Sequence, residues 1–529
     1  MSSSSADIDR HDVVVVGYGP VGMVTAGLLA QHGLDVAVVE RFPRRYPLSR
    51  AGHFDGETMR AFQTLGIAGE VELVARPLLE WSLMDADMEL LTTLTLGQDG
   101  AGWKASYLSY QPQIEEIIDR RVRDLGVRVH MDTTAEELRP DTDGVDLVVR
   151  RDGARATIRA SYVVGADGAN SFVRSALGIG RRDLGFRALQ ELVLDVRLND
   201  PDVDLPELPE VFQVLDPERP VLAGRWSGPA TARFEFASRE QESRDHLLSD
   251  EFSWGQLARW GLTPRDGTIE RRAVYSFESL LAERWRDGRV LLAGDAAHTM
   301  PPFMGQGVCS GYRDALNLAW KIAAVLAGDA DDSLLDTYES ERAPHVEELT
   351  RASMALGEMV SLRDPELARQ RDEALRSGSV PPQPEFPRLG PGIVTAAGPG
   401  DGSPVDGRLA LQARVAFDGR LGRFDEFGTP GWKIVSRHPV PAELFGERGR
   451  AVAEGLGMAV FHVSRGPGPG YYQDIDGDFD LWFRRTGRKV LILRPDNYVF
   501  GSGATVEDLP SLLDGLADTL AAYGWKTAN

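Results

Sequence analysis

Residues 13–40 read VVVVGYGPVGMVTAGLLAQHGLDVAVVE. Val13–Val16 is a β-branched apolar run, which predicts a buried strand. Gly17, Gly19 and Gly22 follow as G-x-G-x-x-G. From Val21 to Gln31 the apolar positions Val21, Val24, Leu28 and Leu29 predict a helix, closed by Gly33. Val36–Val39 predicts the next strand, and Glu40 ends it. Gly17 permits a tight turn, Gly19 lets a phosphate approach the backbone, and Gly22 lets helix and strand pack closely. The helix start around Pro20 and Val21 faces an anion with its free N–H groups. Glu40 stands where an acid accepts hydrogen bonds from a ribose 2′-hydroxyl. Strand, turn, helix, strand and terminal acid agree on a dinucleotide-binding unit. The acid suits the free 2′-hydroxyl of FAD or NAD and disfavours NADP at this position.

The rest of the composition sets limits. A chain of 529 residues, 42% hydrophobic and 26% charged, has ample material for a core. Its net charge of −22 argues against a nucleic-acid partner, which needs a basic face. The single cysteine, Cys309, forms no internal disulfide and no multi-cysteine metal site, so no metal is expected. It points to a reducing, cytoplasmic setting. Val13–His32 has the length of a membrane span, but its early glycines and proline, and the acidic lead MSSSSADIDRHD, argue against membrane or export. The first ten residues are expected to form a disordered tail.

Two further stretches repeat the strand-into-glycine-turn logic. In YVVGADGANSFVRSALGI (162–179), Val163–Val164 ends a strand, Asp167-Gly168 turns, and Ser171 is placed to cap a short helix. In GDAAHTMPPFMGQGVCSG (294–311), Asp295 follows a strand over Val290–Ala293, at the end where open α/β sheets bind ligands. Pro301-Pro302 and Gly305-Gln306-Gly307 then lead into a helix over 308–328. Such an entry favours an anion or an electron-rich oxygen. Between the motifs, RAGHFDGETMRAFQTLG (50–66) reads as a loop and an amphipathic helix.

These three motifs in this order resemble the group A flavoprotein monooxygenases, the FAD-dependent aromatic hydroxylases. The likeness is strongest to the 3-(3-hydroxyphenyl)propionate hydroxylase branch, with relatives among polyketide-tailoring hydroxylases. The resemblance implies an α/β fold: a Rossmann-like FAD-binding domain, an inserted antiparallel-sheet substrate domain and a C-terminal thioredoxin-like domain. It also implies roles. Glu40 would hold the adenosine ribose of FAD with Arg41 beside the adenine, and Arg50 would reach the pyrophosphate. Gln111 would contact the cofactor, and Asp167 would serve the pyrophosphate and NAD(P)H use. Asp295 would bind the ribityl chain, and Pro302 with Gly305, Gly307 and Val308 would flank the isoalloxazine. Many relatives carry a polar residue where Met304 stands, so the substrate side here is expected to be more apolar.

The implied reaction consumes NADPH or NADH and molecular oxygen, and hydroxylates a phenolic or polycyclic aromatic substrate through a flavin C4a-hydroperoxide. An epoxidase or Baeyer–Villiger-type outcome on a polyketide, and a non-enzymatic binding protein of the same fold, are the alternatives. His53, beside the ring in relatives, is the candidate to assist phenol deprotonation. The FAD domain is expected at 1–185 and 275–350, a substrate sheet at 186–274, a helical segment and linker at 351–392, and the thioredoxin-like domain at 393–529. Alternating strands over 191–198, 211–217 and 221–238 carry Phe212, Trp226, Phe234 and Phe236, candidates to line the substrate pocket. Monomer and homodimer are both compatible with the chain.

Overall fold

The computed structural model describes residues 9–96, 100–186, 190–200, 211–226, 231–380, 385–395, 403–428, 430–466, 468 and 470–526. Most of the expected N-terminal tail and part of the linker lie outside these residues.

The β-branched run is the centre of the first sheet. Val13–Val16 pairs in parallel with Val36–Val39 on one side and with the end of Ala154–Gly165 on the other. Arg128–His130 and Val290–Leu292 extend the sheet on either flank, again in parallel. Strands covered on both faces need apolar residues at every position, and Val13–Val16, Val36–Val39 and Val290–Leu292 are all buried. Pro20–Gln31 follows the first strand as a helix with Pro at its first position, where a missing N–H costs nothing. Gly307–Ala327 packs across it. A Cβ on Gly311 would stand 2.4 Å from Val21 Cγ2, so that glycine sets how closely the two helices approach.

A second, mostly antiparallel sheet follows the order 267–276, 190–198, 231–237, 221–225, 211–214, 80–84 and 90–95. The expected boundaries need two corrections. Glu80–Met84 and Leu90–Thr95, expected inside the FAD domain, add to this second sheet: Phe212–Val214 pairs in parallel with Ser82–Met84. The helix Asp336–Val360 runs through the expected boundary at 350. One face of the second sheet packs Leu194, Phe212, Phe234 and Phe236 against Leu247, Leu257 and Trp260. The other face borders the first domain.

The C-terminal segment builds its own seven-stranded mixed sheet, in the order 420–423, 414–417, 471–474, 459–464, 433–436, 490–493 and 499–503. Helices Gly446–Gly455, Asp478–Thr486 and Leu509–Ala521 accompany it. The last is entered through a capping box of Thr505 and Asp508. This unit docks on the first domain through buried charge. Arg494 donates to Glu341 at 2.9 and 2.8 Å, and Lys321 Nζ reaches the same carboxylate at 2.7 Å. Opposed cations hold Glu341 down at about 2, while burial brings Lys321 down to about 8. Among the described residues, no helix is long and apolar enough to cross a membrane.

Candidate active site

A cavity of about 570 Å³ runs along the carboxyl ends of the parallel strands and under the second sheet. It gathers residues from all three motifs. Gly17, Gly19, Pro20, Val21, Glu40, Arg41, Arg50, Gln111, Asp167, Asp295, Pro302, Gly305, Gly307 and Val308 all line it, as do His53, Trp226 and Met304. Gly22 does not line it. A Cβ there would stand 2.0 Å from the Gly17 carbonyl oxygen, so its task is the close packing that the motif predicts.

The amino-terminal end is built around backbone. Gly17 has φ +103°, and a Cβ on it would meet the Ala166 carbonyl oxygen at 2.4 Å. Nothing lies within 4 Å of a Cβ on Gly19, which leaves its backbone open to a ligand. Glu40 holds the turn from the neighbouring strand end: its carboxylate accepts from the N–H of Tyr18 at 2.8 Å and of Phe42 at 3.0 Å. Asp167 accepts from Val173 N at 3.1 Å, while its other carboxylate oxygen is buried without a partner. Burial raises its carboxyl, against hydrogen bonds from Ser171 and Val173.

The other end is the Gly-Asp turn and the Gly-Gln-Gly loop. Asp295 opens into the cavity, yet the surrounding protein raises its carboxyl, opposed by His298 and Arg50. The turn is held by a residue that sequence reading missed. Asp314, fully buried on Gly307–Ala327, accepts from Gly294 N at 3.1 Å. It also bonds His298 Nε2 at 2.7 Å and Arg342 Nε at 3.0 Å. Gln306 is fixed by Arg313, whose Nη1 donates to Gln306 Oε1 at 2.9 Å. Arg313 also pairs with Asp55 and Glu57. Cys309 sits in the same helix, where burial pushes its thiol up to about 12 and keeps it protonated.

The 50–66 stretch is more buried than a surface loop. His53–Asp55 forms a short strand against Ser106–Leu108, and Gly56–Leu65 is the helix, capped by Asp55 through Thr58 N at 2.8 Å. Gln111 Oε1 accepts from Arg50 N at 2.9 Å and Ala51 N at 2.7 Å, so it shapes this loop. His53 Nε2 bonds Ser106 Oγ at 2.7 Å. Its Nδ1 lies against Gly305, whose Cβ would come within 2.3 Å of it. Burial lowers the His53 pKa, with Asp55 opposing, so it is neutral at physiological pH.

Three expected lining residues are elsewhere. Phe212 and Phe234 are fully buried on the far face of the second sheet, each within 6 Å of Trp260 by ring centroid, and Phe236 stacks beside Phe234. Strand alternation decides this: Phe234 and Phe236 share one face of Thr231–Ala237, and Arg233 and Glu235 take the face toward the cavity. Trp226 does line the cavity and leans on Gly52, where a Cβ would stand 1.8 Å from the indole nitrogen.

The geometry fits FAD. Two long helices start at one cavity, the acids Glu40 and Asp295 both line it, and Asp167, also in its lining, keeps an unpartnered oxygen. Residues 10–353 match the family described as FAD binding domain, and residues 407–519 the HcaD C-terminal domain. The chain belongs to the FAD-dependent aromatic hydroxylases. It is 37% identical to a probable NADH-specific resorcinol 4-hydroxylase of Rhodococcus jostii (strain RHA1), over 96% of this chain and 95% of the relative. It is 32% identical to a 3-(3-hydroxy-phenyl)propionate/3-hydroxycinnamic acid hydroxylase of Mycobacterium avium (strain 104), over 96% and 92%. The fold matches aklavinone-11 hydroxylase bound to FAD and aklavinone, with a TM-score of 0.79 at 24% identity, covering 98% of this chain and all of that one. The hydroxylase is thus an FAD-dependent monooxygenase, and a purely binding role for the fold falls away.

Proposed function

We propose that this hydroxylase acts on a small phenol of the resorcinol or hydroxyphenylpropionate class, with NADH as reductant. The observation that carries this is the 37% identity, over nearly the whole of both chains, to a relative named for resorcinol and NADH. The FAD these residues would hold would supply hydride acceptance from reduced nicotinamide and oxygen activation.

The chain's own residues do the rest. The Gly17–Val21 backbone and the start of Pro20–Gln31 receive the pyrophosphate, supported by the open approach at Gly19. Glu40 accepts from the adenosine ribose, with Arg41 near the adenine and Arg50 and Asp167 near the phosphates. Asp295 holds the ribityl chain. The Pro302 and Gly305–Val308 backbone would flank the ring, and the start of Gly307–Ala327 would favour negative charge on a reduced flavin. Gln111 orients the loop bearing His53. Trp226 and Met304 shape the substrate end and exclude water from it.

We read the C-terminal unit as thioredoxin-like. Its core order supports this: 459–464 and 433–436 run parallel, and 490–493 and 499–503 return antiparallel, with helices between. It carries no cysteine, so it does no thiol chemistry. The lone, buried Cys309 supports a cytoplasmic setting.

The test is to purify the holoenzyme and measure NADH oxidation with resorcinol, 3-(3-hydroxyphenyl)propionate or no phenol. Stimulated oxidation with a product one oxygen atom heavier is the expected result. Oxidation unaffected by either phenol overturns the substrate class.

A further inference from the structure

The second sheet turns charge, not aromatic rings, toward the cavity. Glu235 lies in the middle of that face. Its strand neighbours are Val193 on one side and Leu222 on the other, and all three line the cavity. Its side chain keeps 15% of its surface open, and its carboxyl has no hydrogen bond among the described residues. The cations around it are already committed. Arg233 binds Asp195 through Nε at 2.7 Å and Nη2 at 3.2 Å, and Arg271 shares Asp195 at 3.2 Å and donates to the Tyr275 hydroxyl. The cationic nitrogen facing Glu235 is Arg233 Nη1, at 3.8 Å, too far for a hydrogen bond. Arg233 and Trp226 both crowd Gly52, next to His53, so this strand abuts the loop beside the ring site. His53 itself has one ring nitrogen on Ser106 and the other against Gly305.

We propose that Glu235 is the proton acceptor for the ring hydroxyl of the bound phenol. This rests on the hydroxylation proposed above. The phenolic O–H bond breaks, the proton forms a new O–H bond on the Glu235 carboxylate, and the electron pair stays on the phenolate oxygen. The step moves no electrons between partners, so it needs no oxidant. It raises electron density at the ortho and para carbons, where oxygen is received. The proton leaves to solvent after product release.

The surroundings suit the task. Burial and Asp195 raise the Glu235 carboxyl, with Arg233 and Arg271 opposing. Glu191, on the strand that also bears Asp195, is pushed up to about 8 by burial and by Glu235. Tyr275 and His53 also line the cavity. A base works best when its pKa lies near the operating pH, which burial achieves for a carboxylate.

The test compares wild-type holoenzyme with Glu235→Gln and Glu235→Asp, using resorcinol as the probe. The first readout needs no turnover: the phenolate difference absorbance of bound resorcinol, titrated against pH without NADH. Ionisation of the bound phenol at lower pH in wild type than in Glu235→Gln is expected. The second readout is hydroxylation at saturating phenol. A loss of about 10²-fold or more is expected in Glu235→Gln, with partial rescue in Glu235→Asp and unchanged FAD binding. A Glu235→Gln enzyme that ionises bound resorcinol at the wild-type pH, or hydroxylates it at the wild-type rate, overturns the assignment. Should that variant not fold, an acid limb of the wild-type rate profile that does not move in Glu235→Asp overturns it equally. Failure of any phenol to bind the wild type instead sinks the substrate class, a different result.

Discussion

The Tyr498 hydroxyl donates to Glu57 Oε1 at 2.7 Å, deep in the interface between the C-terminal unit and the FAD domain. Glu57 in turn accepts from Arg313 Nε at 2.5 Å, and Arg313 holds Gln306. A residue 441 positions away is thus two side chains from the loop expected to flank the ring. All four side chains are buried. A hydrogen bond to a charged group contributes about 1.5–3 kcal/mol. Tyr498→Phe is expected to lose stability in that range, read by urea unfolding, and to weaken FAD retention, read by fluorescence titration of released flavin.

The Glu341 cluster makes a second prediction about the same interface. Glu341→Gln leaves Arg494 and Lys321 facing each other without their shared acid. Breaking a buried pair in this way costs about 3–5 kcal/mol, seen as a lower Tm for the whole chain. The sign with pH follows from the depressed carboxyl. Its contribution is present above the unfolded value of 4.5 and is lost as pH falls toward about 2.

Gly305 has φ +63°, and a Cβ there meets His53 Nδ1 at 2.3 Å. Gly305→Ala therefore combines left-handed backbone strain with a clash. A cost above about 1 kcal/mol is expected, together with loss of the bound-flavin absorbance spectrum. An alanine enzyme purified with full flavin content would contradict the placement of this loop.

Phe234 and Trp226 separate packing from substrate contact. Phe234→Ala empties a fully buried site and should destabilise by about 3–5 kcal/mol, with KM for the phenol nearly unchanged. Trp226→Leu should raise KM more than it lowers Tm. Steady-state kinetics and thermal melts on both variants decide the pair.

Glu191 is 7% exposed and its carboxyl is pushed up to about 8 from 4.5. An acid raised in the folded state contributes stability below its unfolded pKa and loses it as pH rises through the folded value. Stability should therefore decline between about pH 4.5 and 8 on its account. Glu191→Gln should melt above wild type on the alkaline side, with the gap opening between about pH 4.5 and 8 and levelling off above that. Parallel Tm curves for the two proteins would refute this.

Local signals carried a large part of the reading. The run Val13–Val16, the three glycines after it, Glu40, Asp167 and Asp295 were legible because each obeys a short-range rule: a buried strand wants β-branched residues, a tight turn wants glycine, and a strand end bears an acid. What tertiary structure alone decided is the facing of side chains and the meeting of distant segments. Phe234 and Arg233 are neighbours in the chain, and only the layer packed against each side of their strand sends one to the core and the other to the cavity. Asp314 and Glu57 look like ordinary helix acids until His298, Arg342, Arg313 and Tyr498 close around them. Buried polar groups need partners, and those partners lie up to hundreds of residues away, so no window of sequence displays them.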